Sequence, residues 1–250
     1  MTSRLALGFR IRELSMDSDK SRWTRAVLRV GDGRGFVVAG QRERFVVTAG
    51  HCLPRLPPSM TFSFTEERTY AKLLGHLGGK KLVWAECAFV NPIADLAVLA
   101  SPDCQALWEE AEAYEAFIDG FEPLPIGDLP LARSPIVLHS GDALLGPPEW
   151  EGAVWLFALT GQWFRCEATA GRHMIGIPHP KKAIARGLSG SPIVSDDGCA
   201  VGVIVTGATG AQPFLARQFP AWLLEELGLD VCRAPDGAAG NKQAGPGSLK

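Results

Sequence analysis

The sequence predicts an all-β fold of two β units in tandem, closed by one C-terminal helix. Three observations carry this. Short apolar or alternating runs recur from Arg25 to Thr206, each bounded by Gly, Pro or polar residues. A connecting stretch holding Pro123, Pro125 and Pro130 divides the runs before about residue 100 from those after it. Only two segments carry apolar residues at helical spacing.

Residues 1–22 are mixed and polar, a lead-in to a unit spanning 23–232. Arg25 to Val30 alternates, with Ala26, Leu28 and Val30 on one face and Arg25, Val27 and Arg29 on the other. The glycine-rich run Gly31 to Gly35 predicts a turn. Strands are then expected at 36–39 and 45–48, and further along at 82–90, 96–100, 136–139, 154–159, 163–168, 193–195 and 201–206. The first β unit takes in about 23–105 and the second about 120–215. Between them, Leu107, Ala111, Tyr114 and Ile118 share one face of a helix whose other face is acidic. Pro220 opens and Gly228 closes the second helix, over 220–228. The Gly/Ala/Pro-rich stretch 233–250 is expected to be disordered.

The composition is that of an ordinary globular chain, 46% hydrophobic and 21% charged over 250 residues. A net charge of −2 supplies no basic footprint for nucleic acid or for an acidic membrane surface. The N-terminal apolar stretch, Leu5 to Leu7, is too short for a signal peptide, so a cytoplasmic location is expected. The six cysteines contain no C-x-x-C pair. No metal or cofactor is expected, and in a reducing compartment the thiols would be free.

Chemistry concentrates in three places. Gly187-Leu188-Ser189-Gly190-Ser191-Pro192 flanks a serine with glycines, which lets the backbone fold sharply round Ser189. The N–H groups of Gly187 and Ser189 could then converge on one point, though a plain Gly/Ser/Pro turn has the same composition. His51 follows the apolar strand 45–47, either at the edge of a cleft or as a satisfied core histidine. Asp95 stands directly before the apolar Leu96 to Leu99, as a loop charge or as the partner of something positive.

Taken together and in order, Thr48-Ala49-Gly50-His51-Cys52, Asp95-Leu96-Ala97-Val98-Leu99 and Gly187-x-Ser189-Gly190-x-Pro192 resemble the trypsin-like (chymotrypsin-fold) serine peptidases. The resemblance runs from about Ala26 to Leu227. It implies two six-stranded antiparallel β-barrels with a cleft between them. It also implies a triad: His51 as general base, Asp95 as its orienting carboxylate and Ser189 as nucleophile, with Gly187 and Ser189 N–H as oxyanion hole. An α/β-hydrolase is excluded, because every histidine precedes Ser189 and the elbow would need glycine at position 191.

The chain departs from secreted members of that family. Leu188 stands where an ammonium-binding Asp would be, and Cys52 has Phe36 and Val37 about where a disulfide partner should be. It is closer to bacterial, intracellular or Htr-type branches, which need no zymogen cleavage. The resemblance puts Ala183 where a trypsin-type pocket has Asp. With Ile184 beside it, a small or medium apolar residue is expected before the scissile bond. An acidic preference, drawn by Lys181, Lys182, Arg172 or His173, is the alternative. Val205, Thr206 and Gly207 are expected to form an edge strand that pairs with substrate backbone. The expected partners are a protein or peptide substrate and a regulatory protein. The alternative to an active endopeptidase is a silent or partner-gated fold that only binds protein.

Overall fold

The computed structural model describes residues 18–58, 65–131, 150–171, 174–177, 186–205, 212–213, 215–228 and 231–233. Helix α1 covers 18–26. Strands β1 (Val27–Val30), β2 (Gly33–Ala39), β3 (Arg44–Ala49), β4 (Thr69–Gly75), β5 (Val83–Asn91) and β6 (Leu96–Ala100) follow, with the short helix α2 (Thr65–Arg68) before β4. They close a barrel in the order β1-β2-β3-β6-β5-β4, with β1 pairing back to β4. All its pairs are antiparallel. β3 and β6 face each other in unbroken register, Val46 opposite Leu99 and Ala49 opposite Leu96.

Helix α3 (Trp108–Asp119) packs on this barrel through Ala111, Tyr114 and Ile118. The face is the one read from the sequence. Tyr114 is fully buried, and its hydroxyl reaches the carbonyls of Arg44 and Leu99.

The second unit holds β8 (Trp150–Phe157), β9 (Trp163–Ala170), β10 (Met174–Gly176), β11 (Pro192–Ser195), β12 (Ala200–Val203) and β13 (Gln212–Pro213). Their order is β12-β11-β8-β9-β10-β13. Among the described residues this sheet stays open, although its two edge strands approach each other. The all-β architecture of two tandem barrels is borne out, the first unit as a closed barrel and the second as a six-stranded half-barrel among the described residues. Strand β7 (Gly127–Asp128) pairs in parallel with β14 (Cys232–Arg233) in a separate two-stranded sheet. Helices α4 (Leu215–Gln218) and α5 (Ala221–Leu227) lie between β13 and β14 in the chain. Gly228 ends α5 at φ +57°, a left-handed C-cap.

Two cores result. Alternate residues of β8 divide between them: Val154 and Leu156 enter the core of the second sheet, whereas Trp155 and Phe157 join that of the first barrel. This strand is apolar throughout its C-terminal half because both faces are covered. β9 has one face in solvent and alternates accordingly, with Phe164, Cys166, Ala168 and Ala170 inside and Arg165 and Glu167 outside. Trp23 from α1 fills the seam between the units, 6.2 Å from Trp155 and 5.3 Å from Trp163 by ring centroid.

Two local expectations change. Residues 25 and 26 end a helix instead of starting a strand, because Trp23 needs the helical geometry to reach the tryptophan seam and Arg25 pairs with Glu122 at 2.6 Å. The turn at Gly31 is only two residues long, and β2 begins at Gly33. The glycines there serve close approach, as a Cβ on Gly33 would lie 2.5 Å from Cys52 Sγ and 2.6 Å from the Ser189 carbonyl oxygen. The expected strand 136–139 and the tail 234–250 lie outside the described residues. No helix among the described residues is long and apolar enough to cross a membrane.

Candidate active site

The antiparallel register of β3 and β6 brings His51 and Asp95 to one rim of the barrel. Beyond the pair Ala49–Leu96 the ladder runs one step further, Gly50 N–H donating to the Asp95 carbonyl at 2.9 Å. The chain then turns through a single 3-10 turn, Gly50–Cys52, which lifts the His51 ring off the strand end. Asp95 sits at φ +53°, an uncommon backbone state for an L-residue, at the end of the tight turn from β5 into β6. One carboxylate oxygen accepts the His51 main-chain N–H at 2.8 Å, and the other meets the ring Nδ1 at 2.5 Å. A carboxylate can only accept, so Nδ1 carries the proton and Nε2 is left as the acceptor. The His51 side chain is 46% exposed and that of Asp95 29%.

Ser189 sits in a turn between Gly187 at φ +92° and Gly190 at φ +83°. Gly190 admits no side chain, since a Cβ would fall 1.8 Å from the Arg34 carbonyl oxygen. Two contacts anchor the turn, one to each unit, and a third closes the turn on itself. The Ser189 carbonyl accepts the Arg34 N–H at 2.7 Å, Gly190 N–H donates to Ile204 at 2.6 Å, and Ser191 N–H donates to Leu188 at 2.9 Å. Cys52, next to His51, places its thiol 3.6 Å from the same Ser189 carbonyl. His51 and Ser189 therefore lie on loops in direct contact. Among the described residues no hydrogen bond runs from Ser189 Oγ to His51, and the N–H groups of Gly187 and Ser189 donate to no other residue.

Ser189 is partly exposed, whereas Ser191 is fully buried and its hydroxyl has no partner among the described residues. Leu188 is 2% exposed and belongs to the second core, so its position is occupied by packing and holds no charge. Burial pushes the Cys52 thiol up to about 11, which keeps it protonated and able to donate. No disulfide joins any two cysteines among the described residues. Gly33 packs against Cys52, since a Cβ there would lie 2.5 Å from its Sγ. No cluster of His, Cys, Asp and Glu among the described residues could hold a metal ion.

Of the expected specificity residues, Val205 is buried and follows the end of β12 without forming a strand. Ala183, Ile184, Thr206 and Gly207 lie outside the described residues, as do Arg172, His173, Lys181 and Lys182. Sequence reasoning took Thr48 only as part of a motif and missed its hydroxyl donating to the Arg34 carbonyl at 2.6 Å, and it missed Arg34 itself. Nothing local to either residue signals that role, because their partners are distant in the chain.

No protein-family profile and no curated protein matches this chain. Solved structures do. The inactive form of Rv3671c from M. tuberculosis is 15% identical, with 84% of this chain and 90% of that one covered at a TM-score of 0.42. The NSP4 proteinase from equine arteritis virus is 17% identical, with 74% and 69% covered and a TM-score of 0.40. The MamO protease domain from Magnetospirillum magneticum is 14% identical, with 82% and 96% covered and a TM-score of 0.41.

Proposed function

We propose that this chain is a serine endopeptidase acting on protein or peptide substrates through His51, Asp95 and Ser189. The observation that carries the proposal is the Asp95 carboxylate accepting both His51 N–H groups, which leaves Nε2 free to act as a base. In acylation, Nε2 takes the Ser189 hydroxyl proton as Oγ bonds to the scissile carbonyl carbon. The carbonyl π electrons move onto oxygen, and the N–H groups of Gly187 and Ser189 stabilise the oxyanion. Collapse expels the amine, which leaves with the proton from Nε2. Water then repeats the sequence on the acyl ester, releasing the acid and restoring Ser189.

The alternative is a silent fold, or one held off until a protein partner closes the site; a Ser189–His51 hydrogen bond that tightens only on substrate binding is compatible with both readings. Labelling the purified chain with a fluorophosphonate tests both. Labelling of wild type and none of Ser189→Ala supports an active peptidase. Labelling that appears only with added substrate or partner supports gating. A folded wild type that is never labelled rejects the triad.

A further inference from the structure

Arg34 occupies the seam between the two units and is engaged at both its main chain and its side chain. Its N–H holds the Ser189 carbonyl at 2.7 Å, and its own carbonyl accepts Thr48 Oγ1 at 2.6 Å. Its side chain crosses to the second sheet, with the residue only 7% exposed. There Nη1 donates to the carbonyls of Phe157 at 3.1 Å and Ala158 at 3.3 Å. The guanidinium carbon lies 5.0 Å from the Phe157 ring centroid.

Among the described residues no carboxylate forms an ion pair with this cation. A buried charge held only by neutral acceptors is a poor device for stability alone, since an apolar chain of similar length would avoid the desolvation cost. What it does well is fix two carbonyls in place with one rigid fork.

Those carbonyls open the β8–β9 turn, which Ala158 N–H to Gln162 at 2.9 Å and Gly161 N–H to Ala158 at 3.1 Å complete. The next residue, Leu159, is 54% exposed, yet its Cδ2 lies 3.7 Å from where a Cβ of Gly187 would be. Gly187 has no side chain of its own to hold its peptide, and Leu159 covers that space.

We propose that Arg34 is a positioning residue for the oxyanion donors. Its main chain sets Ser189, and its guanidinium, through the β8–β9 turn and Leu159, sets the Gly187 peptide. The proposal rests on the peptidase reading above.

The test uses the full chain with Arg34→Met, Arg34→Lys, Leu159→Ala and the double variant Arg34→Met/Leu159→Ala. Fluorophosphonate inactivation rates, kcat and KM on a peptide ester, and melting temperature are measured for each. Arg34→Met is expected to lower the inactivation rate and kcat by about 10- to 100-fold with KM nearly unchanged, less than the loss from deleting a donor outright. Lysine should recover part of this, since an ammonium can still reach one carbonyl. Leu159→Ala, at an exposed position, should lower the same step by a few-fold and add nothing to Arg34→Met, as for residues acting in one chain of contacts. If wild type is folded but not labelled at Ser189, the peptidase reading itself fails. If wild type is labelled and Arg34→Met reacts equally fast, the peptidase reading stands and the role of Arg34 is rejected. A rate loss in Arg34→Met that only tracks its unfolded fraction, with Leu159→Ala at the wild-type rate, also rejects it.

Discussion

Asp95 holds His51 at two points, one carboxylate oxygen on the main-chain N–H and the other on the ring Nδ1. The backbone contact fixes where the residue sits, and the ring contact fixes its tautomer. Asp95→Asn keeps the size of the side chain but can present an N–H to the ring, which favours the tautomer with its proton on Nε2. Turnover should fall by about 10⁴-fold, the size of the same change in a well-studied triad. Ser189→Ala and His51→Ala should be at least as severe, with melting temperatures near wild type. Hydrolysis assays on a protein substrate check this, and a fully active Ser189→Ala would refute the assignment. Ser191→Ala, at a fully buried position, should keep most activity.

The turn that carries Ser189 tolerates no side chain at Gly190. Alanine there meets the Arg34 carbonyl at 1.8 Å and must also adopt φ +83°. Gly78 is the internal control, with φ +74° and nothing within 4 Å of its missing Cβ. Gly78→Ala should lose only the left-handed strain, about 1–2 kcal/mol, and keep activity. Gly190→Ala should lose more stability and nearly all labelling of Ser189. Equal melting temperatures and labelling rates for the two variants would contradict the steric account.

The intact chain should need no N-terminal cleavage. Leu188 fills a core position where an ammonium-binding carboxylate would have to sit. Residues 18–22 belong to helix α1, whose Lys20 lies 4.4 Å over the Trp155 ring and whose Arg22 pairs with Glu122 at 2.7 Å. Starting the chain at Trp23 should therefore lower the melting temperature and leave activity equal or reduced. Activity that appears only after such trimming would overturn this.

Alkaline pH should weaken the fold through Cys52. Burial raises its thiol from the ordinary 9.0 to about 11. A value raised in the folded state contributes stability that is complete below pH 9 and is lost as pH rises through 11. Thermal melts between pH 8 and 11 should show wild type losing more melting temperature than Cys52→Ala. The exposed Cys104 should react first with a thiol reagent at neutral pH. Parallel melting curves for the two proteins would rule the effect out.

Substrate choice follows from Ala183 and Ile184, if they line the pocket as the family resemblance implies. Burying a small or medium apolar side chain there would gain about 1.5–3 kcal/mol, whereas Lys or Arg would be left unpaired. Mass-spectrometric profiling of a mixed peptide library should find cuts after Ala, Val, Leu or Met. Dominant cuts after Lys or Arg would defeat this reading, and dominant cuts after Glu or Asp would favour the acidic alternative.

Strand β6 was legible from sequence to the residue, because a strand covered on both faces must be apolar at every position. Helices α3 and α5 were legible as elements, though not to the residue: the apolar spacing marks α3, and Pro220 and Gly228 flank α5 as its caps. The residues proposed for catalysis were legible for a related reason: each is a reactive type beside a strand end or between glycines. Strand β4 was not legible. Lys72 at φ +53° and the register shift between Tyr70 and Leu74 break its alternation, so no period of two survives to be read. β10, β13 and β14 are too short to carry any period. The tertiary structure alone decided that Gly33 faces Cys52, that Ser191 is sealed off, and that Arg34 bridges both units. Arg34 meets Phe157 across 123 positions of chain. Such a contact depends on how two separately formed sheets dock, and docking leaves no local pattern in the residues that make it.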